Sequence, residues 1–392
     1  MERARAPCGQ ARQVAAAERA ESAHPPVRLI ADDLTGALDA AIAFVRPSIR
    51  VPVYWDIPPA GLPSGGVAFD SGTREAGAAA SRRKVAALAG LLPRDGASLF
   101  YAKLDSLLRG QAAADIAGWM EAMAFDRCIV APAFPHHGRI TRGGLQFVRR
   151  GAGEQPVATD LAGDLRKEGL EVRLCRPGDA VPDGVSLWDA ESDADLARLV
   201  AAGRPLGGTT LWCGSGGLAL ALAGTQAEER LSPAALPRPI LGLFGTDHPV
   251  TREQIAACGT AVLALPDGGD DAARAVADRL ARKGAALAFI DMPDAPSRAA
   301  AAARIAHAFD RLVQALDPPG TLVVAGGETL RGLCGALGAE RLELYGQIET
   351  GIPCSILRGG RFDGVHVVSK SGAFGDPQLL RRLIVPFEGD HA

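Results

Sequence analysis

From Val27 onward the chain repeats one pattern: a short apolar run, a turn carrying Gly or Asp, and an Ala-rich stretch of helical character. Residues 27–31 (VRLIA) lead into 37–45 (ALDAAIAFV), and DIAGWMEAMAF is followed by RCIVAPAF. Strand-length apolar runs alternating with helices build parallel βαβ units. In the helix preceding RCIVAPAF, Ile116, Trp119, Met120 and Met123 fall at i, i+3, i+4 and i+7, which predicts a buried stripe. With 392 residues the chain exceeds one ordinary hydrophobic core, so the repeats are expected to fill two domains.

The polar, Pro-rich stretch over 223–239 is the best linker candidate and puts the boundary near residue 235. Beyond it the chain starts afresh with ILGLFG, then VTREQIAACG, then AVLAL, as expected of a second α/β unit with its own sheet. The expected fold is α/β, with domains over 27–235 and 236–392, each a mainly parallel sheet flanked by helices, and an active site in the inter-domain cleft. Residues 1–26 carry arginines and alanines without the apolar core of a secretory signal, so they read as a disordered extension. Glu2, Glu18 and Glu21 weigh against a mitochondrial presequence.

A net charge of −3 supplies no general attraction for nucleic acid or anionic membrane, which leaves a small molecule as the expected partner. No apolar run approaches the roughly 18 residues of a membrane helix, so a cytoplasmic location is expected. The seven cysteines are scattered without a C-x-x-C pair and read as reduced core residues rather than zinc ligands or disulfides.

Three runs in the N-terminal half carry chemistry at strand ends, where ligands of open parallel sheets bind. In Leu29–Gly36 an apolar strand ends in Asp32 and Asp33, followed by Thr35 and Gly36. The adjacent acids can take a hydroxyl proton, while the following helix N-terminus can hold an anion; an ordinary Asp/Thr helix cap would leave the same signature. Tyr101–Gly110 gathers Lys103, Asp105, Ser106 and Arg109, and Lys103 is one of only five lysines among 42 basic residues. A solvated ion pair is the plain alternative there. Ala131–Arg139 offers His136, His137 and Arg139. The two histidines lack a third metal ligand, and Arg139 is the better candidate because a guanidinium can grip a carboxylate with two parallel bonds.

The C-terminal half has a buried run ending in Gly326, Gly327, Glu328 and Thr329, and another passing into Lys370, Ser371 and Gly372. Glycine turns between a strand and a helix let phosphate oxygens approach backbone N–H groups, although neither run is a P-loop.

In their order, these runs resemble the four-carbon acid sugar kinase family. The family's A-D-D-L-T-G-A stands here as Ala31–Ala37, its K-x-D-S-T-L-R-G as Lys103–Gly110, and its A-P-A-F-P-x-x-G-R as Ala131–Arg139. Its G-G-E-T and K-S-G-x-F-G elements stand as Gly326–Thr329 and Lys370–Gly375, and the likeness runs from about residue 28 to 388. The resemblance implies a kinase with an N-terminal sugar-acid-binding domain and a C-terminal nucleotide-binding domain, acting on acids such as threonate, erythronate and 3-oxo-tetronates. It implies that Asp32, Asp33, Lys103, Asp105, Ser106, Arg109 and Arg139 line the acid pocket. Gly245, Thr246, His248, Gly326, Gly327, Glu328, Thr329, Lys370 and Gly372 would hold ATP. Two departures stand out: the family's G-S-x-S reads Gly245-Thr246-Asp247-His248, and Leu107 replaces a Thr.

The mechanism expected is in-line phosphoryl transfer. Arg109 or Arg139 clamps the substrate carboxylate, Asp33 or Asp105 accepts the hydroxyl proton, and Lys370 with Mg²⁺ neutralises the phosphates. A homodimer is the default assembly. Two other readings compete with it. A non-catalytic sugar-acid or nucleotide sensor is suggested by Asp247 and Leu107. A haloacid-dehalogenase-type phosphatase needs D-x-D, whereas Leu34 follows Asp32 at that spacing and Thr35 follows Asp33.

Overall fold

The structure is a computed structural model that describes residues 25–384, apart from 60, 95, 152, 225–229 and 293–296. The extension expected over 1–26 lies outside the described residues but for Pro25 and Pro26, as do Cys8 and part of the linker stretch.

The N-terminal half runs β1 (Val27–Ala31), α1 (Leu34–Ala41), β2 (Val51–Tyr54), β3 (Val67–Asp70), α2 (Ala78–Leu91), β4 (Leu99–Lys103), α3 (Ala112–Ala122) and β5 (Arg127–Ala131). It continues with β6 (Arg139–Arg142), β7 (Leu145–Arg150), β8 (Gly153–Pro156), α4 (Leu161–Lys167), β9 (Val172–Cys175), β10 (Gly184–Trp188), α5 (Asp193–Gly203), β11 (Thr210–Gly214) and α6 (Gly216–Ala223). The C-terminal half runs β12 (Ile240–Phe244), α7 (Pro249–Ala257), β13 (Val262–Leu265), α8 (Asp270–Lys283), β14 (Ala285–Ile290), α9 (Arg298–Ala315) and β15 (Thr321–Ala325). After these come α10 (Gly327–Ala336), β16 (Arg341–Gln347), β17 (Pro353–Arg358), β18 (His366–Lys370) and α11 (Leu379–Ile384).

The mainly parallel, helix-flanked α/β architecture is the one the sequence pattern predicts, but the two halves do not keep separate sheets. A 15-stranded sheet runs in the order β13-β14-β12-β15-β18-β17-β16-β2-β3-β1-β4-β11-β5-β10-β9. The join is antiparallel, with Arg341–Leu344 of β16 paired to Val51–Tyr54 of β2. Edge strands carry unpaired backbone groups, and pairing two of them satisfies both edges at once. One apolar cluster spans the seam and includes Val51 and Val53 with Leu342 and Leu344. A separate three-stranded antiparallel sheet, β6-β7-β8, projects after β5.

The predicted stripe on α3 faces inward: Ile116, Trp119 and Met123 are buried, with Met120 half-buried. Cys128, Cys175, Cys213, Cys334 and Cys354 are buried free thiols, and Cys258 is half-buried. Among the described residues no helix is long and apolar enough to cross a membrane.

Candidate active site

In the sheet β3, β1, β4 and β11 are consecutive neighbours, so parallel pairing brings their carboxyl ends to one edge. Beyond β1, Asp33 caps α1: its Oδ1 accepts the Gly36 N–H at 2.7 Å, and the Thr35 hydroxyl donates to Oδ2 at 2.9 Å. The capping role and the functional reading therefore fall on the same carboxylate. Asp32 is 3% exposed and is gripped by Arg74, through Nε to Oδ2 and through Nη2 to Oδ1 at 2.7 Å. The same Nη2 lies 3.0 Å from Asp33 Oδ1. Burial raises the Asp32 carboxyl above its usual range although Arg74 opposes it. Burial also works against the Arg74 charge, but the bond to Asp32 and the nearby acids outweigh it and raise that guanidinium.

At the end of β4 the Lys103 ammonium is buried and donates to the Leu104 carbonyl at 3.1 Å. Asp105 is held by Arg109 through Nε at 2.7 Å and Nη2 at 3.0 Å. Burial pushes the Asp105 carboxyl up, yet the Arg109 hydrogen bonds and the charges of Arg74, Arg109 and Lys103 prevail and hold it at about 2. The chain reverses here through Leu108, at φ +55° in the left-handed region, which costs a non-glycine residue about 1 kcal/mol. That turn brings Arg109 back onto Asp105. The Ser106 carbonyl accepts from Gln146 Nε2 at 2.9 Å, tying this loop to β7.

In the C-terminal half β12, β15 and β18 are consecutive and parallel, so the loops after them converge. Gly245 packs on the Thr329 hydroxyl, and a Cβ at Gly372 would stand 2.8 Å from Thr246 Oγ1. His248 caps α7, its Nδ1 accepting the Val250 N–H at 3.3 Å. Gly326, at φ +103°, turns the chain into α10 in a conformation that other residues rarely adopt. Lys370 is 2% exposed and donates to Thr251 Oγ1 at 2.8 Å; burial lowers its ammonium to about 7.

The two sets of strand ends face each other. A Cβ at Gly327 would lie 2.9 Å from Asp33 Oδ2 and 3.1 Å from Thr35 Oγ1, so only glycine lets the start of α10 come this close to Asp33. Between the halves lies a cavity of about 50 Å³. Of the residues singled out in the sequence, Asp33, Thr35, Gly36, Lys103, Asp105, Ser106, Arg109, Lys370 and Ser371 line it together. Asp32 stands behind Arg74, and Arg139 is turned to the His137 carbonyl at the start of β6. Gly245, Thr246, His248, Gly326, Gly327, Glu328, Thr329 and Gly372 form the adjoining loops rather than the cavity wall. His136 and His137 sit on a 3₁₀ turn, and the His137 ring stacks on Phe374 of the other half at 4.1 Å. Leu107 does not line the cavity, and Asp247 is exposed, so neither departure obstructs it.

Sequence reasoning missed Arg74, Asp39 and Ser215, all on the cavity wall, and gave no role to Ser369 and Phe374 of the Lys370 run, which line it too. Arg74 had a readable signal, since Asp70-Ser-Gly-Thr-Arg74 is a further strand end passing through a glycine turn. Ser369 and Phe374 had one as well, since they stand in the run that carries Lys370, whereas Asp39 and Ser215 had none, because each is brought in by the crossing of separate segments.

Opposed acid-bearing and glycine-bearing strand ends, with four basic side chains (Arg74, Lys103, Arg109, Lys370) around one cavity, define the class: a two-lobed α/β phosphotransferase. Residues 27–170 match the sugar-binding N-terminal domain family, and residues 241–380 the nucleotide-binding C-terminal domain family. A D-threonate kinase of Cupriavidus necator is 33% identical over 90% of this chain and 95% of its own length. A 3-oxo-tetronate kinase of Pseudomonas fluorescens is 28% identical over 94% and 98%. A crystal structure from Salmonella typhimurium LT2, at 21% identity, superposes with a TM-score of 0.69 over 91% of this chain and 98% of that one, and so shares the fold. The chain belongs to the four-carbon acid sugar kinase family.

Proposed function

We propose that this protein transfers the γ-phosphoryl group of ATP to a hydroxyl of a four-carbon sugar acid, of the threonate, erythronate or 3-oxo-tetronate type. The observation that carries the reading is that Lys370, from the glycine-turn half, lines the same cavity as Asp33, Asp105 and Arg109 from the acid-bearing half. Phosphoryl transfer asks chiefly for alignment and neutralisation of charge, and both partners must meet in one enclosed space. The division near residue 235 into acid-binding and nucleotide-binding halves is part of this reading.

Arg109 is the clamp for the substrate carboxylate, favoured over Arg139 because it lines the cavity. Asp33 accepts the hydroxyl proton: it faces the start of α10, and Asp105 is already engaged by Arg109. Lys370 neutralises charge on the transferring group, and the turns at Gly245–His248, Gly326–Thr329 and Gly372 hold the phosphates. Lys103 sits over the first turn of α1 and adds to the positive field, since a Cβ at Gly36 would lie 3.3 Å from its Nζ.

Among the described residues no cluster of three or more His, Cys, Asp or Glu is placed to hold a metal. Mg²⁺ normally needs only one or two carboxylates when phosphates supply its other ligands. Asp247 and Glu328 fit that role, standing on loops that meet where Gly245 packs on Thr329. Bound there, Mg²⁺ would shield the phosphates from Asp247. A cytoplasmic homodimer completes the proposal.

A coupled ADP-release screen over threonate, erythronate, 3-oxo-tetronates and related acids tests it. Acid-dependent ADP formation is the expected result; a wholly silent panel with intact ligand binding would point to a sensor instead.

A further inference from the structure

One pair of charged groups at the seam has no chemical role in this site. Asp70 closes β3 and is 2% exposed, while Arg331 stands on α10 in the turn after Gly327. Arg331 Nη1 lies 3.1 Å from Asp70 Oδ2, and its guanidinium carbon is 5.4 Å from the centre of the Trp55 ring. Asp70 and Trp55 belong to the N-terminal half and Arg331 to the C-terminal half, so the contact crosses the seam. The Gly72 N–H also donates to Asp70 Oδ1 at 2.7 Å, fixing the carboxylate from its own side. Neither Asp70 nor Arg331 lines the cavity.

The elements they join are nonetheless the two that carry the reaction. β3 is the sheet neighbour of β1, which leads directly into Asp32 and Asp33, and α10 begins with the Gly327–Thr329 turn. α10 packs on α1, and both helices place small and aliphatic side chains in one buried cluster, a kind of contact that is not directional. A guanidinium held by a carboxylate on one side and an indole face on the other fixes the axial position of α10, because each contact is directional and short-ranged. We propose that Asp70 and Arg331 are positioning residues, which hold the phosphate-binding end of α10 in register with Asp33 and thereby set the transfer distance. This rests on the kinase reading above.

The test uses the full chain with ATP and threonate, or whichever acid of the panel the wild type turns over best. Asp70→Asn, Arg331→Gln and the double variant are compared for kcat, both KM values and Tm. A displacement near 1 Å at a reacting centre costs up to about 100-fold, so each single variant is expected to lose about 10- to 100-fold in kcat. Both KM values should stay within about 3-fold, since ground-state binding is left intact. The double variant should be no slower than the worse single variant, because both substitutions remove one contact. Arg331→Lys, which keeps the charge but not the planar stacking, should recover part of the rate. Wild-type kcat in either folded single variant, a fall in Tm alone, or losses that multiply in the double variant would overturn the proposal. Asp70→Asn is nearly isosteric and gives the reading by itself if Arg331→Gln does not fold. A wild type silent on every acid sinks the kinase reading and this one with it, which separates that failure from the others.

Discussion

Asp105 and Arg109 close on each other through two parallel hydrogen bonds, 2.7 Å and 3.0 Å long, across a single turn of chain strained at Leu108. A carboxylate so engaged, and held at about 2 despite its burial, is a weak proton acceptor but a firm support for the guanidinium beside it.

The two candidate acids should therefore fail differently. Asp33→Asn keeps the cap of α1, because Asn caps helices as well as Asp does. It should leave Tm unchanged while kcat falls about 100-fold or more with little change in KM. Asp105→Asn should instead act chiefly on KM for the acid, since Arg109 loses its support. Steady-state kinetics on both variants decide, and wild-type kcat in Asp33→Asn would remove it as the acceptor.

Lys370 gives a pH signature. Burial lowers its ammonium to about 7, so in the free enzyme it is charged below that pH and loses its charge above it. kcat/KM for ATP should fall as pH rises through about 7, whereas the nucleotide-bound complex should hold the charge to higher pH because phosphate favours it. For stability the sign is opposite. The folded state binds this proton more weakly than the unfolded chain, so the burial penalty is complete below about pH 7 and is relieved as pH climbs toward the unfolded value. Lys370→Met should abolish turnover yet stabilise the fold by on the order of 3 kcal/mol at pH 6, with the gain shrinking as pH rises above about 7. Thermal melts across that range check it; a gain independent of pH would contradict the assignment.

Ser369 precedes Lys370 on the cavity wall, and its buried hydroxyl has no hydrogen-bond partner among the described residues. A buried polar group without a partner costs stability unless a ligand satisfies it. Ser369→Ala should accordingly leave Tm unchanged or raised while lowering kcat/KM about 10-fold. A lowered Tm with full activity would show a structural role instead.

Arg74 is bound to Asp32 in a largely buried ion pair. Removing one partner strands the other charge, so Arg74→Met should destabilise by about 3–5 kcal/mol. The double variant Asp32→Leu with Arg74→Met should recover most of that stability but not the activity, because Asp33 loses its guanidinium neighbour too. Denaturant melts beside turnover measurements separate the two effects.

The α/β class, the buried stripe on α3 and the cavity residues of the Asp33, Lys103 and Lys370 runs were legible because each depends on local sequence. A strand ending in charged residues before a helix delivers them to the sheet edge whatever lies around it. The continuous sheet was not legible, since the pairing of β2 with β16 joins segments almost 300 residues apart in an edge contact that any two strands could make. Arg139 shows the same limit: its motif position suggested an acid clamp, while the turn at His137 directs its guanidinium to a backbone carbonyl.

The sequence alone determined that the chain builds parallel βαβ units, with acids at the strand ends of one half and glycine turns at those of the other. It also determined the family, through ordered runs whose spacing chance does not reproduce. Only the tertiary structure decided that Asp33 faces Gly327, that Asp105 is spent on Arg109, that Arg74 stands between two acids, and that Ser369 and Lys370 share their cavity. Hydrophobic pattern and turn chemistry act over a few residues and specify elements, whereas charge pairing and burial depend on which distant elements the fold brings within hydrogen-bonding reach.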